Sequence, residues 1–221
     1  MSLKLFITGT DTDIGKTYIA TALLRGFAKL GFSTLGIKPI ASGCEMDNGR
    51  LYNADALALQ QASSIKLPYE LINPIALQPA IAPHVAAEWA QIALTSAWLQ
   101  DLCLPALNYP ADICVVEGAG GWLAPLNQQE TLADFAVALQ LNVVLVVGMR
   151  LGCLNHTLLT YHALQQAKIK VVGWIANCIT PNMPAQHESI TTLQNWLAVP
   201  CLGVVPYQTD PESAINFQLF L

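Results

Sequence analysis

Charge is scarce in this chain. Lys, Arg, Asp and Glu make up 11% of 221 residues, with ten basic against fifteen acidic side chains and a net charge of −5. No basic run stands out that could track a phosphate backbone, so nucleic acid is excluded as an expected partner. Long apolar runs are also missing, although 53% of the residues are hydrophobic. The longest, such as Val143 to Val147, fall far short of the ~20 residues a spanning helix needs, so they read as buried strands and no membrane role is expected. The six cysteines include no C-x-x-C pair and no histidine at zinc-site spacing, which excludes a zinc knuckle or a local redox pair. They read as reduced, mostly buried small apolar residues. The opening MSLKLFITG is strand-like rather than signal-like, so a cytoplasmic location is expected. No repeat, linker or low-complexity tract divides the sequence, and residues 1–221 read as one domain.

What is present is alternation. Apolar strands are expected at Leu3 to Thr8, Thr34 to Ile40, Ile113 to Val116, Val143 to Val147, Val171 to Ala176 and Cys201 to Val205. Helical periodicity covers Lys16 to Leu30, Asp55 to Ala62, Ser96 to Leu107, Leu132 to Gln140, Asn155 to Ala167 and Ala185 to Leu197. The fold class is therefore α/β, a parallel sheet with helices on both faces, and the GTDTDIGKT loop after the first strand makes it like the phosphate-loop nucleoside triphosphate hydrolases. Pro68, Pro74, Pro79 and Pro83 forbid regular elements from Leu67 to Pro83, which reads as a long surface loop. Ligands of such sheets bind outside the carboxyl ends of the strands.

At the first of these ends, GTDTDIGKT departs from the usual G-x-x-x-x-G-K-[ST] loop. Gly15, Lys16 and Thr17 are in place, but Gly9 comes one residue early, and Asp11 and Asp13 lie between. At about 4 Å and an effective dielectric near 20, each acid would oppose a phosphate charge by roughly 4 kcal/mol. Lys16 would reach the β and γ oxygens, Thr17 would ligate Mg²⁺, and the helix N-terminus would hold the phosphates.

Lys38, closing the second strand in LGIKPIASG, is either a solvated strand end or a second cation for a transferring phosphoryl group. Ser42 lies on the same turn. Glu117 ends DICVVEGAGG, an apolar strand followed by an acid, the pattern by which phosphate-loop enzymes hold magnesium. Asp55, at a helix start behind Asn53, is explained equally by the helix dipole or by metal ligation. Asn177-Cys178-Ile179-Thr180 lacks the lysine and acid of a guanine-reading loop, which favours ATP. Gly152 and the turn before Asn155 could expose N–H groups to a carboxylate, and His156 reads as a helix-surface residue.

Taken together, GTDTDIGKT, KPIASG, the Asn53 to Leu57 stretch, VVEGAGGW, LGCLNH and GWIAN resemble the dethiobiotin synthetases, in order from Phe6 to about Glu212. The resemblance implies that 7,8-diaminononanoate, CO₂ and MgATP give dethiobiotin, ADP and phosphate through a carbamate and a carbamic-phosphoric anhydride. It implies catalytic roles for Lys38 and Lys16, Mg²⁺ ligation by Thr17, Asp55 and Glu117, and substrate contacts from Ser42. Nucleotide contacts are implied for Asp13, Ile14, Gly15, Lys16, Thr17, Tyr18, Glu117, Gly118, Ala119, Gly120, Asn177, Cys178, Pro206, Tyr207, Gln208 and Glu212. Leu151 to Asn155 would receive the substrate carboxylate from the neighbouring subunit of a homodimer. Cys178 stands where the family commonly has an acid, and Pro206 to Glu212 is one residue shorter than expected. The remaining readings are a related phosphate-loop synthetase or amidotransferase and a nucleotide-dependent switch module. An aliphatic diamine carries positive charge at neutral pH, so one of Asp11 and Asp13 could orient an ammonium group or bond metal-bound water beside the γ-phosphate; the alternative is that both are loop-shaping Asx-turn residues.

Overall fold

The computed structural model describes residues 2–220. In chain order the elements are β1 (Leu3–Gly9), α1 (Lys16–Lys29), β2 (Thr34–Ile37), β3 (Ile40–Ala41), β4 (Glu45–Asp47), β5 (Arg50–Tyr52), α2 (Ala54–Ala62), α3 (Tyr69–Ile72), β6 (Ile75–Ala76), α4 (Pro83–Trp89) and α5 (Ser96–Leu107). They continue with β7 (Ile113–Glu117), α6 (Leu132–Ala138), β8 (Asn142–Gly148), α7 (Cys153–Gln166), β9 (Val171–Asn177), α8 (Gln186–Trp196) and β10 (Cys201–Val205), followed by two short 3₁₀ turns. Six strands form one sheet in the order β10-β9-β8-β1-β7-β2. All of its pairings are parallel.

The continuous apolar strands follow from burial on both faces. Successive residues of β8 enter opposite cores: Val143, Leu145 and Val147 join one cluster, Val144 and Val146 the other. β1 and β7 divide in the same way, Phe6 and Val116 facing one side, Ile7 and Val115 the other. At about 1.5–3 kcal/mol for each buried aliphatic side chain, these strands supply much of the drive to fold. No helix of the described residues is long and apolar enough to cross a membrane.

Two expectations are corrected. The second strand ends at Ile37 rather than Ile40, because Pro39 has no N–H to continue the ladder. Ile40–Ala41 instead pairs in parallel with Ile75–Ala76. That pairing also overturns the reading of 67–83 as a surface loop. Ile72, Ile75 and Leu77 are buried, and the prolines sit at element boundaries, where they are tolerated: Pro68 precedes α3, and Pro83 opens α4. The β4–β5 hairpin was missed. Its Asn48-Gly49 turn, with both residues at positive φ, is a good local signal, but the strands are short and largely polar.

Candidate active site

The functional side chains converge because three strands of one parallel sheet, β1, β2 and β7, end at the same edge. A cleft of about 960 Å³ opens there, lined by Asp13, Gly15, Lys16, Thr17 and Tyr18 from the first loop and helix. Lys38, Ser42 and Asp55 face them, with Glu117, Ala119 and Gly120 below.

The phosphate loop is built for an anion. Gly15 adopts φ 85°, a left-handed conformation, and α1 starts without a side-chain cap or an acid in its first turn, leaving its N–H groups free for a ligand. The extra residue in the loop has a structural explanation: Ile14 is buried and seats between Gly9 and Gly148, where an added Cβ would lie 2.4 and 2.6 Å from its side chain. Asn177 Nδ2 donates to the Ile14 carbonyl (2.8 Å) and braces the loop from β9.

Lys38 is not a solvated strand end. Its ammonium donates to Glu117 Oε1 (2.6 Å), Asp55 Oδ2 (3.2 Å) and the Gly118 carbonyl (3.3 Å), and its side chain is 5% exposed. Burial pulls its pKa down, but Glu117 and then Asp55 outweigh burial, so it lies above the ordinary lysine value. Burial likewise pushes the Asp55 carboxyl up, yet Lys38 and the Thr17 hydroxyl hold it below the usual range. Lys16 is the opposite case. Burial, then the neighbouring Lys38 charge, lowers it to about 8, and the Glu117, Asp55 and Asp11 charges only partly offset this. Its ammonium donates to the Asp11 carbonyl (2.7 Å).

The two acids of the loop separate. Asp11 is ion-paired to Arg150, and its Oδ1 accepts from Thr12 N (2.8 Å). An internal cation therefore already answers its charge, and the expectation that it orients a substrate ammonium is not supported. Arg150 carried no local signal; it lies 139 residues away. Asp13 is exposed in the cleft at φ 56°, a conformation Asp tolerates, and shapes the loop.

Several other expected contacts lie apart from the cleft lining. Cys178 is buried, its N–H bonded to the Val205 carbonyl (2.9 Å). Pro206, Tyr207 and Gln208 form an exposed turn tied to α1 by the Tyr18 hydroxyl, which donates to the Thr209 carbonyl. Glu212 binds Arg25 (2.6 Å) and Lys29 on α1 instead of facing the cleft. Asn155 is exposed in the first turn of α7, and Gly118 contributes its carbonyl to Lys38.

The donor chemistry fits a magnesium ion. Glu117 Oε1 accepts from Thr17 Oγ1 (2.8 Å), while Oε2 is buried without a partner among the described residues. Thr17, Glu117 and half-exposed Asp55 thus offer one hydroxyl and two carboxylates. Such a hard, incomplete oxygen set suits Mg²⁺ completed by waters and phosphates. Ser42 Oγ, also without a partner, lines the same cleft.

A family profile described as an AAA domain matches residues 3–214. The chain is 52% identical over 207 residues to the ATP-dependent dethiobiotin synthetase of Cellvibrio japonicus, spanning 93% of this chain and 90% of that protein. It is 43% identical over 214 residues to that of Aeromonas hydrophila, spanning 97% and 95%. Among solved structures, the septum site-determining protein MinD of Pyrococcus horikoshii, complexed with Mg-ADP, superposes with a TM-score of 0.61 at 14% identity, covering 100% of this chain and 95% of that one. Cobyrinic acid a,c-diamide synthase of Mycobacterium smegmatis, with bound ADP and magnesium, gives 0.57 at 12% identity, covering 97% and 91%. Those two likenesses concern the fold alone. The curated relatives concern the family, and on that similarity the chain belongs to the ATP-dependent dethiobiotin synthetases, ligases of biotin biosynthesis.

Proposed function

We propose that the whole chain, as one domain, closes the ureido ring of dethiobiotin from 7,8-diaminononanoate, CO₂ and ATP in the cytoplasm. One substrate amine attacks CO₂ to give a carbamate, whose oxygen then takes the γ-phosphoryl group as ADP leaves. The second amine attacks the carbamoyl carbon, phosphate departs, and the ring closes. The observation that carries this reading is the buried Lys38 ammonium, held between Glu117 and Asp55 beside the uncapped start of α1.

Lys16 and the free N–H groups of α1 receive the nucleotide phosphates. Lys38 meets the charge that develops between γ-phosphate and carbamate, pre-oriented by its carboxylate partners so that little reorganisation accompanies reaction. The unpartnered Ser42 hydroxyl binds the diamine, and Asp13 lies within the same cleft. Thr17, Asp55 and Glu117 would hold magnesium, which when bound neutralises phosphate charge. Neighbours of the same fold carry magnesium and ADP, which supports this set. The Pro206 to Gln208 turn is tied to Tyr18 and Asn177 braces the phosphate loop, so these, with Cys178 next in sequence, would line the base. Glu212 acts there indirectly, by fastening the segment after that turn to α1. Six free cysteines agree with a reducing compartment.

A homodimer completes the site. Leu151 is 94% exposed at the start of a segment whose helix, α7, begins at left-handed Gly152 with no side-chain cap. Presented by a second copy, Leu151 to Asn155 would offer N–H groups to the substrate carboxylate. In solution the chain is expected at twice its 23.8 kDa, releasing ADP only when diamine and bicarbonate are both present. A monomer that releases ADP at the same rate without diamine contradicts the reading.

The lowered Lys16 pKa gives a pH signature. An adjacent phosphate favours the charged lysine, so a neutral Lys16 must take up a proton when ATP binds. ATP affinity is therefore expected to be steady below pH 8 and to fall above it, by up to about tenfold per pH unit. Calorimetry at pH 9 in buffers of different ionisation enthalpy should register the proton uptake. Constant affinity from pH 7 to 9.5 would assign the low Lys16 value no part in binding.

A further inference from the structure

Lys38 follows the end of β2, where Pro39 prevents the main sheet from continuing. Neither polar group of its backbone has a partner in that sheet, and both are taken up by the last residue of α3 and the one that follows it. Lys38 N–H donates to the Ile72 carbonyl (2.8 Å), and the Lys38 carbonyl accepts from Asn73 Nδ2 (2.7 Å). The second Asn73 N–H donates to the Ile75 carbonyl (3.1 Å), while its Oδ1 accepts from Tyr69 Oη (3.1 Å). The amide orientation is thereby fixed, since a flip would set its oxygen against two carbonyls.

The chain of bonds continues. Tyr69 Oη accepts from Asn53 N–H (2.7 Å). Asn53 then acts twice: Nδ2 donates to the Ser42 carbonyl (3.3 Å), and Oδ1 accepts from Ala56 N–H (3.2 Å), capping the helix that carries Asp55. Asn53 and Asn73 are 7% and 3% exposed, where a broken bond is not readily replaced by water. Three side chains, of which Asn53 lines the cleft and Tyr69 and Asn73 lie behind it, thus join the main chain at Lys38, at Ser42 and at the start of α2.

We propose that Asn53, Tyr69 and Asn73 form one positioning unit that holds Lys38, Ser42 and Asp55 in register across the cleft. The phosphate loop is braced separately, by Ile14 and Asn177. The unit therefore governs the chemical step rather than nucleotide affinity. Its link to turnover rests on the ligase reading above, whereas its link to the Lys38 ammonium does not. Asn73→Ala leaves the Lys38 carbonyl without its donor, and Tyr69→Phe keeps the ring while removing the shared hydroxyl.

Displacements of this size, about 1 Å at a charge-bearing group, cost up to roughly a hundredfold in rate. Asn73→Ala is expected to lower diamine-dependent kcat about thirtyfold or more and Tyr69→Phe about fivefold, with KM for ATP within about threefold of the parent. The double variant should be no worse than Asn73→Ala, since both changes open one network. Leu193→Ala, a fully buried change on α8, serves as the control for destabilisation. It should lower the thermal midpoint while retaining kcat.

Spectra of protein labelled with ¹⁵N at the lysine Nζ provide a readout independent of turnover. The parent should show a protected ammonium, assigned by Lys38→Ala, that Asn73→Ala broadens or loses and Leu193→Ala retains. Network variants with kcat within twofold of the parent and an intact Lys38 signal overturn the proposal. So does a kcat loss that Leu193→Ala reproduces. If the parent shows no diamine-dependent turnover, the ligase reading fails and the ammonium signal alone decides on the unit.

Discussion

Lys38→Ala is expected to lower diamine-dependent ADP release about a thousandfold, the range seen when a preorganised cation is removed from phosphoryl transfer. The same change leaves Glu117, 1% exposed, with only the Thr17 hydroxyl bonded to its carboxylate and Lys16 as its remaining nearby cation. Deleting one partner of a buried pair costs about 3–5 kcal/mol, which in a domain of this size lowers the melting midpoint by roughly 10 °C. The variant should therefore fold but melt early, and its activity must be measured well below that midpoint. Lys38 is also the second-largest influence lowering Lys16. With it gone, the alkaline decline in ATP affinity should move to higher pH. A Lys38→Ala enzyme retaining kcat within tenfold would remove Lys38 from the reaction.

Gly15→Ala strikes the other half of the site. The backbone there has φ 85°, costing an L-residue about 1–2 kcal/mol. An added Cβ would lie 2.3 Å from Asn177 Nδ2, the group that braces the Ile14 carbonyl. Relief requires Asn177 to give up that bond, so loop strain and lost bracing act together. A combined effect of about 3 kcal/mol corresponds to a roughly hundredfold weaker ATP dissociation constant. The cores on either side of the sheet are untouched, so circular dichroism should match the parent. Equilibrium binding of ATP within threefold of the parent would mean that this glycine does not shape the nucleotide site.

The strands most legible in the sequence are those buried on both faces. The run Val143 to Val147 could be read directly because every residue faces one core or the other. Segment 67–83 was misread for the converse reason. Its prolines do exclude long elements, but its burial depends on pairing with 38–44, a contact that no local pattern records. Lys38 shows the same limit. Local sequence left a solvated end and a second phosphate-site cation equally open, and what excludes the solvated end is Glu117, 79 residues away. The resemblance implied that role in advance; the geometry shows a buried, ion-paired ammonium lining the cleft. The acids of GTDTDIGKT divide on similar grounds, since Arg150 is remote in sequence and adjacent in space to Asp11.

The proposed reaction moves carbon as well as phosphate; labelled bicarbonate follows the first and ADP release the second. With ATP and 7,8-diaminononanoate, the purified chain is expected to transfer one labelled carbon into an acid-stable ureido product for each ADP released. ADP released without incorporation of label, or at an equal rate when the diamine is omitted, would contradict the account.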